Sequence, residues 1–350
     1  MAKRKKKICF SGIGGQAVLE GIMMKNKDKY AVAVRKPDGE IEVDIDEFSG
    51  TCKGFFLRKV PFFRGIFNFV DSLTLGIKAI NYSASFYEDE EEKETRFDKT
   101  MNKVFRGKTE KVLTGFVTLL SIALAVAIFI LLPYYLTRLL SVNVRNETYT
   151  AFIEGGIRLA VFILYVLLIS INKDIKRVYR YHGAEHKCIN CIEHGKTLTV
   201  DNVMKSSRLH KRCGTSFMIL VILISVILFF FIRVDSPLMR LVIRILLIPV
   251  IAGIAYEIIR FAGSYNNAFA KILSIPGLLL QKITTKEPDE KMVEVAIAAI
   301  EAVFDWRDFE NDNFADKAEA DSKEETAIAG ESVEVVLEDD NKSSDGAGNP

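Results

Sequence analysis

Val112-Leu-Thr-Gly-Phe-Val-Thr-Leu-Leu-Ser-Ile-Ala-Leu-Ala-Val-Ala-Ile-Phe-Ile-Leu-Leu-Pro-Tyr-Tyr-Leu-Thr137 is a run of 26 residues without a charged side chain. As a helix it extends roughly 39 Å, longer than the ~30 Å hydrocarbon core of a bilayer. Three further runs follow. Leu159 to Asn172 has 14 uncharged residues and reaches spanning length if Arg158 snorkels. Cys213 to Ile232 is a 20-residue run, and Pro237 to Ile259 carries Arg240 and Arg244 near one end and Glu257 near the other. We read the last as a span, with the arginines snorkelling and Glu257 pairing with Arg260 less than one turn away. The fold class is therefore an α-helical integral membrane protein of about four transmembrane helices.

The composition agrees. The 350 residues are 49% apolar and 26% charged, with a net charge of +2. That total averages two unlike materials. Residues 310–350 carry 13 acidic and 3 basic side chains, a net of −10, so residues 1–309 hold about +12. A soluble, cytosolic, single-domain enzyme is excluded.

Working outward, residues 1–50 form a small β module. Tyr30-Ala-Val-Ala-Val-Arg35 and Glu40-Ile-Glu-Val-Asp-Ile-Asp46 alternate in polarity on either side of Lys36-Pro-Asp-Gly39, which predicts a hairpin. Gly14-Gly-Gln-Ala-Val-Leu-Glu-Gly-Ile-Met-Met24 predicts a further strand behind a glycine turn. It is not a phosphate loop, because the lysine and Ser/Thr are missing and Gly12, Gly14 and Gly15 do not make G-x-G-x-x-G. The basic start, Met1-Ala-Lys-Arg-Lys-Lys-Lys, leads into a glycine-rich stretch that soon carries Glu20, so we expect it to be retained.

Residues 51–111 comprise a Phe-rich amphipathic helix lying at the interface and a charged linker from Glu88 to Lys111. Transmembrane helices 1 and 2 occupy 112–172, a His/Cys loop 173–212, and transmembrane helices 3 and 4 213–260. Residues 261–309 hold an apolar stretch broken at Pro276-Gly277 and an amphipathic helix with the stripe Met292, Val293, Ala296, Ile300, Val303. Residues 310–350 are a disordered acidic tail. The 173–212 loop carries ten Lys/Arg against four acids, while 138–158 and 233–240 carry three and two. The positive-inside rule makes that loop and both termini cytoplasmic. Anchoring to the lipid bilayer accounts for Lys176, Arg177, Arg180, Lys211 and Arg212, and no nucleic acid partner is expected.

The chemistry concentrates in the same loop. His182, His186, His194 and His210 are all the histidines of the chain, gathered within 29 positions alongside Cys188, Cys191 and Cys213. Five cysteines in all, an odd number beside histidines, point to a reducing compartment and metal ligation. Two metal readings compete. His182-Gly-Ala-Glu-His186 has the H-x-x-E-H form of the inverzincins, with both histidines on one helix face and Glu185 beside them as a general base. His210 or Cys213 would be the third ligand. Alternatively, Cys188-x2-Cys191 and His210-x2-Cys213 have the spacing of a closed structural zinc knuckle.

Four motifs carry a resemblance. The Gly14–Met24 stretch, Tyr181-His-Gly-Ala-Glu-His-Lys187, Leu209-His-Lys-Arg-Cys-Gly-Thr-Ser216 and Thr284-Thr-Lys-Glu-Pro-Asp289 resemble, in order, the bacterial YqhQ family of integral membrane proteins, described as predicted metal-dependent enzymes. The resemblance runs from about Gly12 to Phe304 and implies roles for Gln16, Glu20, His182, Glu185, His186, His210 and Cys213. Cys188 and Cys191 fall where that family's pattern has no cysteine, leaving His182, His186, His210 and Cys213 as the implied ligand set. Gln16 and Glu20 are expected to approach this cluster and support it from behind. The function expected is that of a zinc-dependent hydrolase at the cytoplasmic membrane face, or else of a scaffold or assembly factor with a structural metal. A transporter is disfavoured, since the spans show no inward-facing polar residues at mid-depth and no repeat.

Overall fold

The computed structural model describes residues 9–51, 53–87, 109–140, 147–231, 234, 236–265 and 267–314. The N-terminal module is a four-stranded antiparallel meander of β1 (Gly14–Val18), β2 (Gly21–Asn26), β3 (Lys29–Arg35) and β4 (Ile41–Glu47). The β3–β4 hairpin stands as expected, with Arg35 opposite Ile41 and Gly39 at φ +92° in the turn. The Gly14–Met24 stretch is a correction, being two strands that reverse at Leu19-Glu20 with Val18 opposite Gly21. No glycine marks that turn; Glu20 itself takes φ +47°, which is why polarity alternation alone read through it.

The two faces of the sheet are both covered. Val18, Met23, Tyr30, Val32 and Val34 pack with Leu75 and Ala79 of α1 (Phe63–Ala84). Ile22, Met24, Ala31 and Ala33 face α5 (Lys173–Glu193) and the late helix α11 (Glu290–Glu301). Small Ala31 and Ala33 let the helices approach closely, while β4 exposes Glu42, Asp44 and Asp46 at the open edge. The stripe expected on α11 is buried here: Met292, Val293, Ala296 and Ile300 are at most 2% exposed.

The segment expected as a loop, 173–212, is mostly helix. Asn172 caps α5 by accepting from the N–H groups of Asp174 and Ile175, and Gly195 at φ +60° ends it. A short helix α6 (Val200–Met204) follows.

The remaining helices form an apolar bundle. They are α2 (Thr109–Val126), a wide π turn (Ala127–Leu131) just before Pro133, α3 (Leu132–Leu140), α4 (Glu147–Ile169), α7 (Gly214–Phe231), α8 (Pro237–Leu246), α9 (Ile248–Ser264) and α10 (Ala268–Thr284). Four stretches are long and apolar enough to cross a membrane: Gly115–Leu140, Phe152–Ile169, Gly214–Phe231 and Val242–Ser264. The first exposes Phe116, Leu119, Leu120, Ile122 and Leu124, a continuous apolar surface. The fourth is shifted from the expected 237–259, because the chain kinks at Leu247 where Pro249 starts a new helix. A further correction concerns α10, which continues through Pro276 instead of breaking there. It packs along α7, with Gly277 set so close that a Cβ would meet Ser216.

The charges of the bundle also depart from expectation. Arg158 and Arg244 do not snorkel. Each is 8% exposed and bonded to Glu154, with Arg158 Nη1 also 3.4 Å from Ser225 Oγ and both guanidiniums over the Phe229 ring. The apolar stretches therefore do hold inward polar groups, with Glu154 and Arg244 each the third residue of its stretch and Arg158 the seventh. Glu257 pairs with Arg64 of α1 and accepts from the Phe62 N–H, so it ties α1 to α9 rather than closing a local pair with Arg260.

Residues 306–314 are helical, and Phe314 packs against Gly195, so ordered structure runs five residues beyond the expected boundary of the tail. Residues 315–350, Cys52, most of the charged linker and the side chain of Arg240 lie outside the described residues.

Candidate metal centre

Two residues one turn apart on α5, His182 and His186, present their rings on one face with centroids 4.4 Å apart. Each ring has its Nδ1 against a backbone carbonyl: His182 at 2.9 Å from Thr284 O, His186 at 2.7 Å from Arg208 O. A carbonyl only accepts, so both Nδ1 atoms carry the proton and both Nε2 atoms keep a lone pair. This is the arrangement by which metal-binding histidines are oriented. Cys213, immediately before α7, completes the group. Its Sγ lies 3.1 Å from His182 Nε2 and accepts from the Thr215 N–H at 3.4 Å.

The ligand atoms of His182, His186 and Cys213 all lie within 4.8 Å of one another, so the group could hold a metal ion. Two nitrogens and a sulfur are a donor set suited to zinc. Burial pushes the His186 pKa down against the opposing pull of Cys213, favouring the neutral imidazole that a metal requires.

Glu185 lies on the neighbouring face of α5, outside the group of three. It is 5% exposed, accepts from the Gly15 N–H, and its Oε2 has no partner. Burial raises its pKa, with His182 pulling the other way. Gly15 is required here, since a Cβ would sit 2.5 Å from Met23 O and 3.2 Å from Glu185 Cδ.

His210 is near but otherwise engaged. Its ring is 5.8 Å from that of His186, while its Nε2 lies 3.2 Å from Glu193 Oε2. Glu193 also binds Arg212 and both the N–H and hydroxyl of Ser11. Burial opposes ionisation of Glu193, yet the His210 hydrogen bond and the Arg212 charge outweigh it and hold its pKa down at about 2. Gln281 completes the cage, accepting the His210 N–H and donating to His210 O and Ser216 Oγ.

The knuckle is not assembled. Cys188 and Cys191 are fully buried with Ile22, Met24 and Ala31 in the core between α5 and the sheet, and burial raises the Cys188 pKa well above normal. His194 bonds Asn190 O. Glu20 reaches α5, but at Arg177 and Tyr181, away from the cluster. Gln16 packs against Gly76 of α1 and lines a cavity of about 810 Å³ whose wall includes Cys213. Glu193 was missed by sequence reasoning, although its place seven residues after His186 puts it on the same helix face.

A family described as "Protein of unknown function (DUF1385)" matches residues 60–306. The chain belongs to this family. It is also 36% identical over 286 residues to the "Uncharacterized protein YqhQ" of Bacillus subtilis (strain 168), covering 81% of this chain and 89% of that protein. No solved structure matches. The DUF1385 match takes in α1 to α11, and with them His182, Glu185, His186, His210 and Cys213, whereas the sheet precedes it.

Proposed function

We propose that this DUF1385 member is a metal-dependent hydrolase of the cytoplasmic membrane, with zinc on His182 Nε2, His186 Nε2 and Cys213 Sγ at the cytoplasmic face. The observation that carries this reading is a cluster of three ligand atoms, and not four, among the described residues, beside a cavity of about 810 Å³. Three protein ligands leave a position for substrate or water, as catalytic zinc sites do and closed structural sites do not. Zinc bound there would supply Lewis-acid polarisation and a lowered pKa for water. Thr284 O and Arg208 O hold the two imidazoles in one tautomer and one orientation. Glu185, with an unpartnered oxygen and a raised pKa, is the group available to take up and return a proton.

One observation favours a second reading, a scaffold with a structural metal. The cluster joins α5 to the start of α7 and the end of α10, so an ion would staple the sheet-bearing head to the bundle.

The test is zinc content of the detergent-purified chain by elemental mass spectrometry, free of chelators. We expect about one zinc per chain, lost in His186→Ala and retained in Glu185→Gln. Metal-free wild-type protein would overturn both readings. Zinc loss in Glu185→Gln would make Glu185 a ligand and remove it as a base.

A further inference from the structure

The cavity beside Cys213 lies where the sheet-bearing head meets the apolar bundle, and its lining changes character from one side to the other. Phe69 of α1, Phe217 of α7, and Tyr256 and Ile259 of α9 form an apolar side, with the Phe69 and Phe217 rings 5.3 Å apart. Phe217 is near the start of one candidate span and Ile259 near the end of another, so this side sits at one common end of the bundle. The opposite side is strand β1 and its neighbours, with Lys25 and Lys27. Among the lining charges, Arg58 is matched by Asp71 and Arg212 is held by Glu193; the remaining cations are Lys27 and Lys25, whose Nζ donates to Phe48 O at 3.4 Å and is attracted by Asp71 and Asp28. The cavity is thus net positive on its polar side.

Helix α1 forms one wall of this space. Its inner face lines the cavity through Asn68, Phe69, Ser72 and Leu75. Its outer face exposes Phe63, Val70, Leu73, Ile77 and Ile80, spaced seven, three, four and three residues apart along one stripe. An amphipathic helix with such a stripe rests in the headgroup region of a bilayer. A lipid lying beside α1 therefore meets the cavity at headgroup depth.

We propose that the cavity binds the anionic phosphate headgroup of a membrane lipid, with the adjoining part of its chains on the Phe69–Phe217–Tyr256 side. About 810 Å³ accommodates a headgroup and the glycerol region, within the usual range for ligand pockets. Lys25 and Lys27 supply the charge that a phosphodiester requires. The proposal names the substrate class of the hydrolase reading and rests on it for chemistry, but binding is measurable without turnover.

The experiment is native mass spectrometry of the full chain in detergent, with dioleoyl-phosphatidylglycerol, dioleoyl-phosphatidylcholine or glycerol 3-phosphate added at equal concentration. Two variants accompany it. Gly14 is on the same strand face as Gln16, and a Cβ there meets nothing within 4 Å, so Gly14→Phe fills the cavity without a backbone clash. Lys25→Gln removes charge alone. We expect one phosphatidylglycerol adduct at several-fold higher occupancy than phosphatidylcholine. That preference should be lost in Lys25→Gln, and the adduct itself in Gly14→Phe. Equal retention of both lipids, or retention unaffected by either variant, overturns the proposal. Glycerol 3-phosphate binding as well as the lipid would make the ligand a soluble phosphate and overturn it too. Should Gly14→Phe fail to fold by gel filtration, Lys25→Gln decides. Both variants leave the three ligands intact, so their zinc content reports separately on the metal reading.

Discussion

Glu193 shows how one buried carboxylate can organise residues that the sequence scatters. It joins Ser11 ahead of the sheet to His210 and Arg212 ahead of α7. Its folded pKa of about 2 lies below the ordinary 4.5, so it contributes stability above pH 4.5 that disappears as pH falls toward 2. The full contribution is on the order of 3 kcal/mol. Thermal unfolding of the wild type should therefore weaken steadily below pH 4.5. Glu193→Gln should unfold earlier at pH 7, because Arg212 and His210 lose their partner, and should lack most of that acid-side slope. An unchanged slope would show that Glu193 does not carry it. For the site residues, His182 and His186 were legible from helix spacing, and Cys213 only as one of several options. What separates Cys213 from His210 is that His210 meets the Glu193 carboxylate while Cys213 meets His182, and that is decided by contacts distant in sequence.

Among the elements, α5 carries most of the candidate site because both its faces are occupied. One face enters the core with Tyr181, Ala184, Cys188 and Ile192, and the other presents His182, His186 and Glu193. Gly183 allows this. A Cβ there would collide with the Lys286 carbonyl, and Lys286 is pinned by its own N–H to Tyr179 O at 2.9 Å. Alanine favours an isolated helix by about 1 kcal/mol over glycine, while overpacking against fixed backbone costs roughly 1–3 kcal/mol. The clash should win, so Gly183→Ala is expected to lower the unfolding temperature and to weaken zinc retention by pushing Thr284 O away from His182. A variant more stable than wild type would contradict that contact. The helix itself was hidden in a segment read as a loop, because its buried face mixes Ile189 and Ile192 with Tyr181, Ala184, Cys188 and Cys191 in a stretch otherwise dense in charge.

For the whole molecule, α1 connects the sheet to the apolar bundle. It covers one face of the sheet, reaches the bundle where Gly65 and Gly253 allow close approach to Tyr256 and Phe62, and bonds Glu257 through Arg64. With four spans and the charge asymmetry of the sequence, we propose that the head lies in the cytoplasm. Reporter fusions check this. Alkaline phosphatase joined after Leu140 or Phe231 should be active, and after Met204 or Phe314 inactive, with the reverse holding for a fluorescent protein that folds only inside. Activity after Met204 would place the metal cluster outside the cell. The buried Glu154, Arg158 and Arg244 group would respond to a different measurement. Glu154→Gln should destabilise the bundle by leaving two buried guanidiniums unmatched, a cost of about 3–5 kcal/mol read from unfolding in detergent.

Local physics controls whatever could be read along the chain. Uncharged runs reach membrane-spanning length in themselves, strict alternation makes the β3–β4 hairpin, and residues four apart on a helix share a face, so His182 and His186 pair. Only the tertiary structure decided that Cys213 joins them while His210 turns to Glu193, that Cys188 and Cys191 enter the core, and that Arg158 and Arg244 meet Glu154. Each of those outcomes depends on how helices from distant parts of the chain rotate and pack against one another. Periodicity within a single segment holds no information about that rotation.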